Sequence, residues 1–332
     1  MATALEAYLR YVPEKVAGRF ENIVEPLLFQ AALRYKLPPI SYDLVPHASV
    51  ICKTSFPNDG TPVLIEASQG LLNLLVELTF AVGRCLKFSG ASGKDSERTL
   101  KPSEVAEWLA PKIDAFSRHG NLPKGIALHW ISDLSKEGSH QQLDFISCLF
   151  RGAFRLAVAH EVAHVILSQG YGSEELDFAR KLAILEPYQV GPEWPEELAA
   201  DAIAAELTLG AWAYDDLLRL IEEYSGEMHD DIVKELSAYC AGMNLLMEFY
   251  WMVESRFFET TGTALFVGYP SAVHRKIAVL KAMHGGVAVA TAQGGQILLE
   301  RELVLAFTNA IDPILRELFK GVAPVTAGMS GY

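Results

Sequence analysis

Ala157-Val158-Ala159-His160-Glu161-Val162-Ala163-His164-Val165-Ile166 is the stretch on which the reading of this chain turns. It is free of proline and its flanks are uncharged, so the spacing predicts a helix running unbroken through both histidines. Residues four apart on a helix stand one turn above one another on the same face. The series Ile146, Leu149, Ala153, Ala157, His160, His164 and Leu167 keeps that spacing, which puts both imidazoles on the buried face. Chance placement of two hydrogen-bonded core histidines is the competing account. Against it, two imidazoles and a carboxylate are costly to desolvate among alanine and valine unless they bind a charge. The His-Glu-x-x-His pattern thus points to His160 and His164 as metal ligands and Glu161 as a general base.

Outward along the chain, Glu196-Glu197-Leu198-Ala199-Ala200-Asp201-Ala202-Ile203-Ala204-Ala205 is also helical in pattern, with Glu197 and Asp201 one turn apart. A catalytic zinc takes three protein ligands and keeps one position open. Glu197 would be the third ligand, and Asp201 would accept the outer N–H of a ligand histidine, His160, fixing its tautomer. The alanines would let this helix approach the first closely. A solvated acidic face is the competing account, as for Glu193 and Glu196.

A third element is Gly268-Tyr269-Pro270-Ser271-Ala272-Val273-His274-Arg275-Lys276-Ile277, where Pro270 starts a helix. Tyr269 and His274 are candidates to donate a hydrogen bond to a developing oxyanion. A capping tyrosine and a surface histidine are the plainer accounts. His47, His119, His129, His140, His229 and His284 lack ligand-like spacing and read as structural or exposed.

Periodicity predicts further helices over Glu14–Lys36 (disturbed at Pro26), Leu71–Phe88, Pro102–Arg118, Gln141–Gln169 (ended by Gly170), Ser173–Leu185, Pro195–Tyr224, Asp230–Phe258, Pro270–His284 and Ile297–Phe319. His47–Lys53 and Pro62–Glu66 read as a hairpin around Pro57-Asn58-Asp59-Gly60, the β signal of the first half. Ser89–Lys101 reads as a mobile loop. The expected class is mostly α with a small β-hairpin or sheet, an α+β protein. The expected division is an N-terminal lobe over 1–100, a helical domain over 101–320 and a loose tail over 321–332.

The chain has 332 residues, half of them hydrophobic and 21% charged, so a sizeable core can be buried. With 28 Lys+Arg against 41 Asp+Glu the net charge is −13, which disfavours nucleic acid as a partner. Cys52, Cys85, Cys148 and Cys240 show no CxxC spacing and read as reduced thiols of a cytosolic protein. The N-terminus lacks the pattern of a signal peptide. The apolar stretches Leu71–Leu86 and Phe145–Leu167 are interrupted by Glu77 and Arg84, and by Arg151 and Arg155, so no membrane span is expected.

With these motifs the chain resembles the gluzincin zinc peptidases, in which His-Glu-x-x-His is followed by Glu-x-x-x-Asp. Within that group it is most similar to the Lit family of bacterial phage-exclusion endopeptidases. The resemblance rests on His160–Val165, on Glu196–Asp201 and on the Pro270…Arg275 segment. Leu71–Phe88 and Ser103–Leu122, with Glu107-Trp108-Leu109, add to it. It spans about Leu71–Ile277. The family has a histidine before the proline where this chain has Tyr269, and the stretch Gln169–Pro195 is longer than the family's. The resemblance implies a zincin-like core and Zn²⁺ on His160, His164 and Glu197. It implies Asp201 and Arg275 as supporting residues, and a cytoplasmic endopeptidase controlled by an activating partner. The implied substrate is a host translation elongation factor cut during phage infection. Two other readings stand beside it: a zinc protease of an unrelated regulator protein, and a catalytically silent, zinc-holding or metal-free module that senses a partner.

Overall fold

A computed structural model describes residues 20–47, 49–57, 61–85, 101–119, 140–184, 194–213, 229–262, 269–284, 287–290 and 296–299. The sequence pattern becomes a helical assembly with a small mixed sheet, an α+β fold. The helices are α1 (Phe20–Arg34), α2 (Gln69–Cys85), α3 (Pro102–His119), α4 (His140–Ser168), α5 (Ser173–Ile184), α6 (Trp194–Trp212), α7 (His229–Thr261) and α8 (Ala272–His284). The strands are β1 (Ile40–Val45), β2 (Cys52–Ser55), β3 (Val63–Ser68), β4 (Val287–Ala290) and β5 (Gln296–Leu299).

Helix α4 is the spine, packed by α2, α6 and α7. Its central residues Ala157, Val158, Ala159, Val162 and Ala163 are buried, as the apolar spacing requires. It stops at Gly170, whose φ of 80° is the left-handed conformation glycine adopts without penalty. Gly170 N–H donates to the Leu167 carbonyl at 2.9 Å and Tyr171 N–H to the Ile166 carbonyl at 3.3 Å, the paired bonds of a Schellman cap.

Two glycines let α4 and α7 touch at their backbones. A Cβ on Gly152 would lie 2.1 Å from the Tyr239 carbonyl oxygen, and one on Gly242 would lie 2.0 Å from that of Leu149. Nearby, the buried Arg155 donates from Nε to the Ile23 carbonyl at 2.8 Å and from Nη1 to the Tyr239 hydroxyl at 3.2 Å. That hydroxyl donates to the Thr208 carbonyl at 3.2 Å, so one side-chain chain ties α1, α4, α6 and α7. Residues on both sides of position 100, from Ile23 to Met283, share one apolar cluster.

The three-stranded sheet has the order β1-β3-β2. The expected hairpin is present as β2 antiparallel to β3, with Thr54 opposite Ile65, although β2 begins at Cys52 and not at His47. Strand β1 was not anticipated and pairs parallel to β3, Ile40 opposite Val63. Ser68 ends β3 and starts α2, its Oγ accepting the Leu71 N–H at 3.1 Å as an N-cap.

One expectation is corrected. The helix expected from Ile297 begins instead as strand β5, antiparallel to β4 with Val289 opposite Ile297. Ile297-Leu298-Leu299 is a short apolar run, which suits a strand as well as a helix until a pairing partner decides. The remainder of that segment, the Ser89–Leu100 loop, the turn residues 58–60 and the C-terminal tail lie outside the described residues. No helix among the described residues is long and apolar enough to cross a membrane.

Candidate metal centre

Four elements converge on the face of α4 that carries its histidines. Helical spacing stacks His160 and His164, whose rings meet edge to face at 4.7 Å between centroids. Helix α6 crosses this face closely because Ala199, Ala200, Ala202, Ala204 and Ala205 occupy its buried sides. It presents Glu197 and, one turn on, Asp201.

The three expected ligands come together. His160 Nε2 and His164 Nε2 are 3.1 Å apart. The Glu197 carboxylate lies 3.3 Å from the first and 3.5 Å from the second. Ligand atoms of the three residues lie within 4.8 Å of one another, and this group could hold a metal ion.

Asp201 is where the sequence put it. Its carboxylate accepts from His160 Nδ1 at 2.8 Å, leaving Nε2 directed at Glu197 and His164. Arg275 of α8 grips the same carboxylate with both Nε and Nη2, each at 2.8 Å. Its Nη2 lies 3.4 Å from His160 Nδ1. A two-pronged guanidinium contact of this kind fixes orientation as well as charge.

The charges explain one another. Burial would lift the Asp201 carboxyl, but Arg275 and His160 hold it down at about 2. Burial also works against a charged His160, yet Asp201 and Glu197 raise it to about 9. His164 goes the other way, to about 4, because it is buried and faces the charge on His160. Glu197, although desolvated, is lowered by its bond to His160 and by both imidazoles. Burial raises Glu161, against the lowering effect of His160 and of its bond from Thr54.

Tyr269 and His274 belong to the segment that opens α8. Tyr269 precedes α8 and is 47% exposed. His274 packs against Trp194 at 4.8 Å between ring centroids, and its Nδ1 is 2.7 Å from Ser271 Oγ. Of the other histidines, His47 accepts the Ser49 N–H at Nδ1, 3.1 Å away, a local turn contact.

Two neighbours of the centre were not read from the sequence. Thr54 of β2 donates from Oγ1 to Glu161, lying 2.9 Å from Oε2 and 3.0 Å from the main-chain carbonyl. Tyr250 of α7 lies under the Arg275 guanidinium, 5.5 Å from Cζ to the ring centroid, and burial pushes its phenol up to about 12. Thr54 stands 107 residues from Glu161, so no local spacing could announce it. The alternation of β2 was the available signal, since it turns Cys52 and Thr54 inward and Lys53 and Ser55 outward.

Comparison with family models, with curated proteins and with solved structures finds no match for this chain.

Proposed function

We propose that the chain is a zinc-dependent endopeptidase with a zincin-like core, hydrolysing a peptide bond of a protein substrate. The observation that carries this is the spacing of the donors. Ligands held at about 2.0–2.1 Å around a tetrahedral ion stand roughly 3.3–3.4 Å from one another. Here the two Nε2 atoms are 3.1 Å apart, and each faces its own oxygen of Glu197, Oε2 at 3.3 Å from His160 and Oε1 at 3.5 Å from His164. Two imidazole nitrogens and one carboxylate also match zinc better than calcium or magnesium, which prefer oxygen donors.

His160, His164 and Glu197 would hold the ion. A zinc ion in such a site supplies Lewis acidity and lowers the pKa of water. Glu161, next to the ligands and raised by burial, takes the proton of the attacking water and later returns it to the leaving amine. Asp201 and Arg275 keep the His160 ring turned so that Nε2 faces its co-ligands. In line with the resemblance, the substrate would be a translation elongation factor in a cytoplasmic response to phage, acting with an activating partner.

The test is metal analysis of the purified chain, coupled to mapping of new protein N-termini in cells expressing wild type or Glu161→Gln. One zinc per chain and cleavage products lost in the variant are expected, a fall of about 10²–10⁴-fold in rate. A metal-free wild type, or equal cleavage by the variant, would overturn the proposal. Zinc without any cleavage would leave a structural or partner-sensing site.

A further inference from the structure

Glu161 is held from outside its own helix. Among the described residues, Thr54 supplies the only hydrogen bond to its carboxylate. The same hydroxyl lies 3.0 Å from the Glu161 main-chain carbonyl, so its one proton is shared between the side chain and its own backbone and bridges the two. Such a bridge selects one arrangement of the three side-chain torsions of a glutamate, which otherwise sample several rotamers.

The hydroxyl is itself fixed. Strand β2 is joined to β3 in antiparallel register, Thr54 opposite Ile65. Ile65 is buried in the main apolar cluster. Strand β2 also packs directly against α4. Lys53, on the outward side of β2, pairs with Glu66 of β3 at 3.0 Å, which secures the same register from the opposite face. The position of the carboxylate is therefore set by the sheet, and the position of the histidines by the helices.

We infer that Thr54 is a positioning residue, holding the Glu161 carboxylate in the geometry from which it serves as base beside the ligands His160, His164 and Glu197. The inference rests on the metallopeptidase reading. It assigns to β2 a role in catalysis that the metal-ligand motifs do not contain. Thr54→Val keeps the shape and removes the hydroxyl. Thr54→Ser keeps the hydroxyl on a less restrained side chain.

The full chain loaded with Co²⁺ provides a readout independent of proteolysis. The visible d–d spectrum of bound Co²⁺ senses groups placed against its open face. Thr54→Val is expected to leave Co²⁺ affinity within about twofold. It should shift the d–d spectrum in the same direction as Glu161→Gln, with Thr54→Ser restoring the wild-type spectrum. Added to Glu161→Gln, Thr54→Val should cause no further shift, because the hydroxyl acts only through that carboxylate. With a peptide spanning a mapped cleavage site, kcat should fall by roughly 10²-fold while KM stays within about twofold. An unmoved spectrum and unmoved kcat in Thr54→Val, or a spectral shift that adds to that of Glu161→Gln, overturns this inference and leaves the peptidase reading standing. Failure of the wild-type chain to bind Co²⁺ overturns both.

Discussion

His160 is the residue whose two nitrogens do different work, one bonded to Asp201 and the other facing Glu197 and His164. In the metal-free chain it is raised to about 9 from an ordinary 6.5, so at neutral pH it carries a proton that a metal ion must displace. Metal uptake should therefore release a proton, and apparent affinity should rise about tenfold per pH unit up to about 9. Calorimetry in buffers of different ionisation enthalpy measures that proton. Asp201→Asn removes the charge that raises His160, so the released proton should disappear near neutrality and metal affinity should fall by about 10–100-fold. For stability the sign is opposite. The value in the folded chain lies above the ordinary one, so protonated His160 stabilises the metal-free chain fully below pH 6.5, and the contribution is lost as pH rises through about 9. That His160, His164, Glu197 and Asp201 would meet was legible because helical spacing is a local code. Thr54 and Tyr250 were not, since they reach the centre only through tertiary packing of β2 and α7.

At the scale of elements, α4, α5, α7 and α8 matched their expected bounds closely because each carries several turns of periodic burial. Strand β1 was missed because Ile40-Ser41-Tyr42-Asp43-Leu44-Val45 gains its identity from β3, a pairing between segments that no single-segment pattern records. The same limit applied to β5. Helix crossings are likewise silent in sequence, yet they make a firm prediction. In Gly242→Ala the new methyl group would meet a main-chain oxygen at 2.0 Å, where no side chain can swing aside. We expect Gly242→Ala to lose about 1–3 kcal/mol in urea unfolding, with Gly152→Ala behaving alike. At Gly170, where nothing lies within 4 Å of the added Cβ, the cost should be only the left-handed strain of about 1–2 kcal/mol.

For the whole molecule, the donor set ties α4 to α6 directly and to α8 through Asp201 and Arg275. A ligand that binds only the folded state stabilises it, by about 2.7 kcal/mol at a free concentration one hundred times its dissociation constant. Addition of Zn²⁺ should thus raise the unfolding temperature of the entire chain in one step, and a chelator should reverse it. A metal effect confined to a local transition, with the rest melting unchanged, would contradict this coupling.

The order in which these groups leave the ribosome follows from their positions. His160 and His164 are synthesised first, Glu197 and Asp201 after them, and Arg275 last. A nascent chain halted before α8 would hold a histidine pair and an acidic partner with no guanidinium to clamp it. The clamp on Asp201 is thus delivered only after the groups it steadies, and the complete arrangement waits on α8.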